Sequence, residues 1–149
     1  MQHKKTVMSS HLEDYLKTIA LLTEEHGHAH SGDIARLLNV SRPSVTSALK
    51  KLAQSGYIDY SSNIPVQLTP EGKRYAETLL LRYQCLKKFF LEILFCSQEK
   101  AASAACIMEH KLDNEILQSL QVLHFAIEEY EGSKELRQYL YANLCKKEF

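Results

Sequence analysis

The stretch that decides the fold runs Ser31-Gly32-Asp33-Ile34-Ala35-Arg36-Leu37-Leu38-Asn39-Val40-Ser41-Arg42-Pro43-Ser44-Val45-Thr46-Ser47-Ala48-Leu49-Lys50-Lys51-Leu52. Ser31 can cap a short helix that carries Ile34, Leu37 and Leu38 on one face. Asn39-Val40-Ser41 then reads as a tight turn. A further helix follows with Pro43 in its first turn, where a missing N–H costs little, and it stops at Ser55-Gly56. Helical spacing turns Val45, Ala48, Leu49 and Leu52 inward, which leaves Arg42, Ser44, Thr46, Ser47, Lys50 and Lys51 outward.

Working outward, Leu12, Leu16, Ile19, Ala20 and Thr23 recur at helical spacing, so Ser9 or Ser10 to about His26 is an amphipathic helix ended by Gly27. Downstream the period changes. Tyr57-Ile58-Asp59-Tyr60 is a short strand, Ser61-Ser62-Asn63 a polar tip and Pro65-Val66-Gln67-Leu68 a return strand. Thr69-Pro70-Glu71 opens a long helix to about Leu94, with Thr69 as cap. Three more helices follow. Ser97 caps one from about Gln98 to Lys111, Asp113 caps one with Ile116, Leu120, Leu123 and Ile127 as its apolar seam, and Ser133 caps the last, with Leu136, Leu140 and Leu144 inside. The expected fold is mainly α: an N-terminal winged helix-turn-helix over 1–72 and a C-terminal helical domain over 73–149, joined by a linking helix over about 70–94.

Composition bounds the function. The chain has 149 residues, 45% hydrophobic and 24% charged, with five Gly and three Pro, which excludes disordered and low-complexity classes. No apolar run approaches the ~18 residues of a membrane helix, and the N-terminus, with Lys4 and Lys5, lacks a signal-peptide core. A cytoplasmic protein without membrane contact is expected. Cys85, Cys96, Cys106 and Cys145 show no C-x-x-C spacing and read as thiols. The second half is too small to bury its Leu, Phe and Tyr alone, so a homodimer is expected.

The 18 basic and 18 acidic side chains balance, yet no acid lies between Asp33 and Asp59, where Arg42, Lys50 and Lys51 stand. A local basic face suffices for nucleic acid, since only the docking surface meets phosphate. The helix-turn-helix order aims the first turn of its second helix at a major groove. Short hydroxyls at Ser44, Thr46 and Ser47 allow close approach to base edges. Arg42, Lys50 and Lys51 can meet phosphate, and Ser62 and Asn63 tip the wing.

The second constellation is Cys106-Ile107-Met108-Glu109-His110. On a helix, positions i, i+3 and i+4 share a face, so thiolate, carboxylate and imidazole converge there, a donor set suited to Fe²⁺, Mn²⁺, Co²⁺ or Zn²⁺. The same residues also fit a small buried thiol beside a surface Glu–His pair.

The chain resembles the iron- and manganese-dependent metalloregulators of the diphtheria toxin repressor family. The resemblance runs from Leu12-Glu13-Asp14-Tyr15-Leu16 through Asp33-Ile34-Ala35, Val40-Ser41-Arg42-Pro43-Ser44-Val45-Thr46 and Leu68-Thr69-Pro70-Glu71-Gly72 to Glu109-His110. It is closest in kind to the short, two-domain branch of manganese transport regulators, without a third SH3-like domain. The resemblance implies a repressor of metal-uptake genes, with a double-stranded DNA operator, a homodimer and one divalent corepressor ion per chain. It also implies the ligands. Asp14 falls on the first-helix ligand position of manganese-type members, and Cys106, Glu109 and His110 fall on the C-x-x-E-H ligands of iron-type members. Manganese-type members carry Glu where Cys106 stands, so an Asp of one branch meets a Cys of the other.

The departures are specific. Lys17 stands where the manganese branch has a second Glu, and Tyr83 where it has a ligand His. Lys87 and Ala102 replace the acid and His of the iron branch's ancillary site. The family's usual second metal is therefore expected to be absent, with Lys17 and Lys87 supplying positive charge in its stead. In the plainer alternative Lys17 pairs with Asp14 and the protein is a metal-independent winged-helix regulator under redox or small-molecule control. The other is a winged-helix protein-interaction module. His26, His28 and His30 read as solvated loop imidazoles, and Tyr57 and Tyr60 as packing residues. With no Gly-rich phosphate loop and no nucleophile–base set, the chain does not read as an enzyme.

Overall fold

A computed structural model of the chain describes residues 8–129 and 131–145; Lys4 and Lys5 lie outside them. The chain forms two compact units, Met1–Leu80 and Leu81–Phe149, whereas the sequence reading puts its boundary after residue 72.

In the first unit, α1 (Ser10–His26), α2 (Ser31–Leu38) and α3 (Arg42–Gln54) pack on one another, and β1 (Ile58–Asp59) and β2 (Gln67–Leu68) form an antiparallel hairpin with Ile58 opposite Leu68. This is the expected winged helix-turn-helix. Ser9 Oγ accepts from the Leu12 N–H to cap α1, and Gly27, at φ 76°, ends it by donating to the Thr23 carbonyl. Asn39, left-handed at φ 52°, makes the turn between α2 and α3. Tyr15, Leu16, Ile19, Ile34, Val45, Leu49, Leu52, Ile58 and Val66 form the buried core, so all four inward residues expected of α3 face it.

Two expectations for α2 fail. Its N-cap is His30, whose side chain makes no capping bond, and Ser31 is already helical. Leu37 is exposed, because a two-turn helix covers only the stripe next to Ile34 and Leu38.

The wing is held by the backbone at its base. Val66 N–H donates to the Ala29 carbonyl at 2.8 Å, adding the α1–α2 loop to the sheet. Thr69 Oγ1 donates to the Gly56 carbonyl and accepts from Gly72 N–H, which caps α4 (Pro70–Glu92) as expected. Gly72 has no room for a side chain: a Cβ there would lie 1.8 Å from the Tyr57 carbonyl oxygen. The wing is thereby clamped against the start of α4, which ends at Glu92, two residues before the expected Leu94.

In the second unit, the later part of α4 packs with α5 (Gln98–Met108) and α6 (Asn114–Glu129) through Leu86, Phe89, Phe90, Ile93, Ala101, Ala105, Leu117 and Ile127, and α6 with α7 (Ser133–Leu144). Ser97 caps α5 by accepting from Lys100 N–H, and Asp113 accepts from Glu115 N–H at the start of α6. The α6 seam is rotated from the expected one. Leu117, His124 and Ile127 are buried with Leu120 partly so, while Ile116 and Leu123 are about half exposed. In α7, Gly132 takes the cap position instead of Ser133, and Leu136 is exposed, with Leu140 and Leu144 only half-buried. No helix among the described residues is long and apolar enough to cross a membrane, and the four cysteines are free thiols.

Candidate nucleic-acid interface and metal centre

The outward face of α3 is built from its cap inward. Ser41 Oγ accepts from Ser44 N–H, and the two hydroxyls lie 2.8 Å apart, so Ser44 is oriented by the helix start. Pro43 fits at the second helical position because its N–H would have no intrahelical partner there. Arg42, Ser44, Ser47, Lys50 and Lys51 are exposed and Thr46 is half-buried. Arg42, Pro43, Thr46, Ser47 and Lys50 line a shallow depression of about 500 Å³. No acidic side chain lies on α3, and its N-terminus adds the partial positive charge of the helix dipole. Arg36, also in the basic stretch, bonds Asp33 at 2.9 Å and is partly neutralised. Ser62 and Asn63 are exposed at the wing tip, where Asn63 turns the chain at φ 65°. His26, His28 and His30 are exposed, and Tyr57 packs against Tyr75 with ring centroids 5.4 Å apart, as the sequence leads one to expect.

The second unit holds three of the four expected metal ligands on one short segment. Cys106 is exposed on the last turn of α5, and its Sγ lies within 4.8 Å of a Glu109 carboxylate oxygen. Glu109 is completely buried, and His110 Nε2 stands 3.4 Å from its Oε1 with the imidazole side chain 6% exposed. The shared helical face expected for the three is only partly right. α5 ends at Met108, Glu109 is its C-cap, and His110 lies in the turn beyond.

Arg82 explains that early end. Its Nε donates to the Glu109 carbonyl at 2.8 Å, and its two terminal nitrogens donate to the Leu112 carbonyl and to Asn114 Oδ1. One guanidinium thus satisfies carbonyls that a longer α5 would have used internally. Arg82 was not singled out in the sequence, because a lone Arg on a long helix gives no local sign of a partner about 30 residues away.

Asp14 belongs to the first unit, on α1. Lys17 Nζ lies 3.8 Å from its Oδ1, one turn along the helix. Next to it in sequence, Glu13 is buried and accepts from the Tyr75 hydroxyl at 2.5 Å. Of the positions where the resemblance leads one to look for further ligands, Lys87 places Nζ 5.9 Å from the centroid of the Tyr83 ring, a cation–π arrangement. Ala102 offers no donor.

The donors present suit a divalent transition ion. A completely buried carboxylate is costly unless a cation or hydrogen bonds compensate it. The imidazole supplies a borderline ligand and the thiol a soft one.

Comparison with known proteins gives a consistent answer over most of the chain. A family model for the N-terminal DNA-binding domain of iron-dependent repressors matches residues 7–63, and one for their metal-binding and dimerisation domain matches residues 69–130. An uncharacterised HTH-type transcriptional regulator of Methanocaldococcus jannaschii is 35% identical over 116 residues, which is 77% of this chain and 93% of that one. The HTH-type transcriptional regulator MntR of Bacillus pumilus is 35% identical over 127 residues, 85% of this chain and 88% of that one. Among solved structures, IdeR of T. acidophilum aligns at a TM-score of 0.69 and 29% identity over 81% of this chain. The chain spans about half of that structure's length, at 55%.

Proposed function

The chain belongs to the family of iron-dependent repressors, metal-responsive DNA-binding transcriptional regulators, and on that premise we propose that it represses metal-uptake genes with one divalent ion per chain as corepressor. Asp14, Cys106, Glu109 and His110 are its ligands. The observation that carries the assignment is the buried Glu109 carboxylate beside His110 Nε2, on a turn anchored by Arg82. A bound ion would supply a fixed positive centre that Cys106, as thiolate, and Asp14 and Glu109, as carboxylates, neutralise. Fe²⁺ is the favoured ion and Mn²⁺ the alternative, because the thiolate of Cys106 draws towards softer ions and Asp14 towards harder ones; Co²⁺ and Zn²⁺ fit the same donors.

On the DNA side, Ser44, Thr46 and Ser47 meet base edges from the front of α3, Arg42, Lys50 and Lys51 meet phosphate, and Ser62 and Asn63 touch the duplex from the wing. Metal and operator are then linked: whichever conformation binds both is favoured by each, and the coupling is reciprocal. Anaerobic recovery of fragmented genomic DNA with Fe²⁺, with Mn²⁺ and with chelator tests this. Metal-dependent enrichment is expected, and it also identifies the operator. His110→Ala is expected to keep the fold and lose that dependence; an unchanged metal response in His110→Ala sinks the site.

A second reading rests on Lys17, whose ammonium already stands 3.8 Å from Asp14. In it the lysine serves as a built-in cation and DNA binding is independent of metal. Equal enrichment with and without chelator selects it.

A further inference from the structure

A second group of donors lies inside the helical unit, away from the segment just described. Glu92 closes α4, and His124 and Glu128 stand one turn apart on α6. His124 Nε2 is 2.8 Å from Glu92 Oε2 and 3.4 Å from Glu128 Oε1. One donor atom from each of the three lies within 4.8 Å of the others. The His124 side chain is 9% exposed, while Glu92 and Glu128 retain 34% and 27%. Phe89 packs edge-on against the imidazole, with ring centroids 6.2 Å apart, and so fixes its orientation. Lys88 Nζ lies 3.6 Å from an oxygen of each carboxylate.

The charges do not balance with the lysine alone. Two carboxylates carry two negative charges; Lys88 offsets one, and His124 offsets the other only when protonated, the form that cannot ligate a metal. An exposed ion pair needs no buried imidazole, and here a nearly buried nitrogen is aimed between two carboxylates that solvent can reach. One His and one Glu at i, i+4 plus a carboxylate from another helix is a donor set for a divalent ion.

We infer that Glu92, His124 and Glu128 form a second divalent-metal site, with Lys88 as the cation that the ion displaces. Its donors are nitrogen and oxygen only. It therefore favours harder ions such as Mn²⁺, with Zn²⁺ also accommodated, over the iron-leaning set that contains Cys106. Occupation ties the end of α4 to α6 and stiffens the helical unit. The inference does not depend on the corepressor assignment, since the two sites share no residue.

Equilibrium dialysis of the full chain against Mn²⁺ alone, at micromolar concentration, tests it by counting ions per chain. The wild type is expected to take up two. His124→Ala and the isosteric Glu128→Gln are each expected to lose one, by weakening that site about tenfold or more, with the helical circular dichroism retained. Lys88→Met is expected to keep both and tighten one. His110→Ala is expected to spare the Glu92–His124–Glu128 ion, which separates the two assignments. A count that neither His124→Ala nor Glu128→Gln changes overturns the inference, whatever happens at His110. Should His124→Ala unfold, Glu128→Gln decides the matter by itself.

Discussion

The winged unit and the helical unit use their apolar residues differently. In the first, the inward face of α3 is buried residue for residue, and the exposed face is hydroxyl and cationic. In the second, α6 buries Leu117, His124 and Ile127 yet leaves Val122 and Phe125 70% and 66% exposed on the opposite side. Leu136, Tyr139 and Tyr141 of α7 are also exposed. One unit closes its core with its own chain and presents a polar face to solvent. The other is left with apolar surface, which suits the dimerisation domain that its family match describes. Both units bury ionisable groups, Glu13 in the first and Glu109 and His124 in the second, and each requires a cation or hydrogen bonds to be tolerated.

The sharpest way to break this contrast is Gly72→Ala. Because a Cβ at residue 72 meets backbone at 1.8 Å, the hairpin must detach from α4. A loss of about 3 kcal/mol or more is expected, read as an early-melting transition of the winged unit. A melting curve like that of the wild type would mean that the wing is not clamped there.

A smaller effect is expected from Phe125→Glu, which places a charge on the exposed apolar side of α6. Sedimentation is expected to show a shift towards monomer at micromolar concentration with helicity unchanged. An unmoved dimer would remove α6 from the partner contact.

The mildest is Lys50→Ala. Its loss is expected to weaken binding to specific and random duplexes alike and to lower the salt slope by about one unit. Weakening confined to the operator would instead make Lys50 a base-reading residue.

In the winged unit much of the fold is legible in the amino-acid sequence. The Thr69 cap, the Pro43 start, the inward face of α3 and the hairpin all rest on local rules, in which a side chain bonds a backbone group three residues on, a ring presets φ or a period sets the buried face. Less is legible in the second. Spacing places Ile116, Leu120, Leu123 and Ile127 on one stripe, and that stripe overlaps the buried one only in part. At the candidate metal centre, residue type and spacing single out Cys106, Glu109 and His110, but the continuous helix that they imply stops at Met108.

The sequence by itself determined the order of elements, the polar outward face of α3 and the presence of a thiol, a carboxylate and an imidazole within five residues. These depend on period and on neighbours along the chain. Tertiary structure alone decided which side of α6 is covered, where α5 ends, that Glu109 is fully buried, and that Glu92 meets His124 from 32 residues away. Periodicity says which side chains share a face but not which face finds a neighbour. A helix end held by Arg82, or a donor group completed by Glu92, is set by partners that the local sequence does not contain.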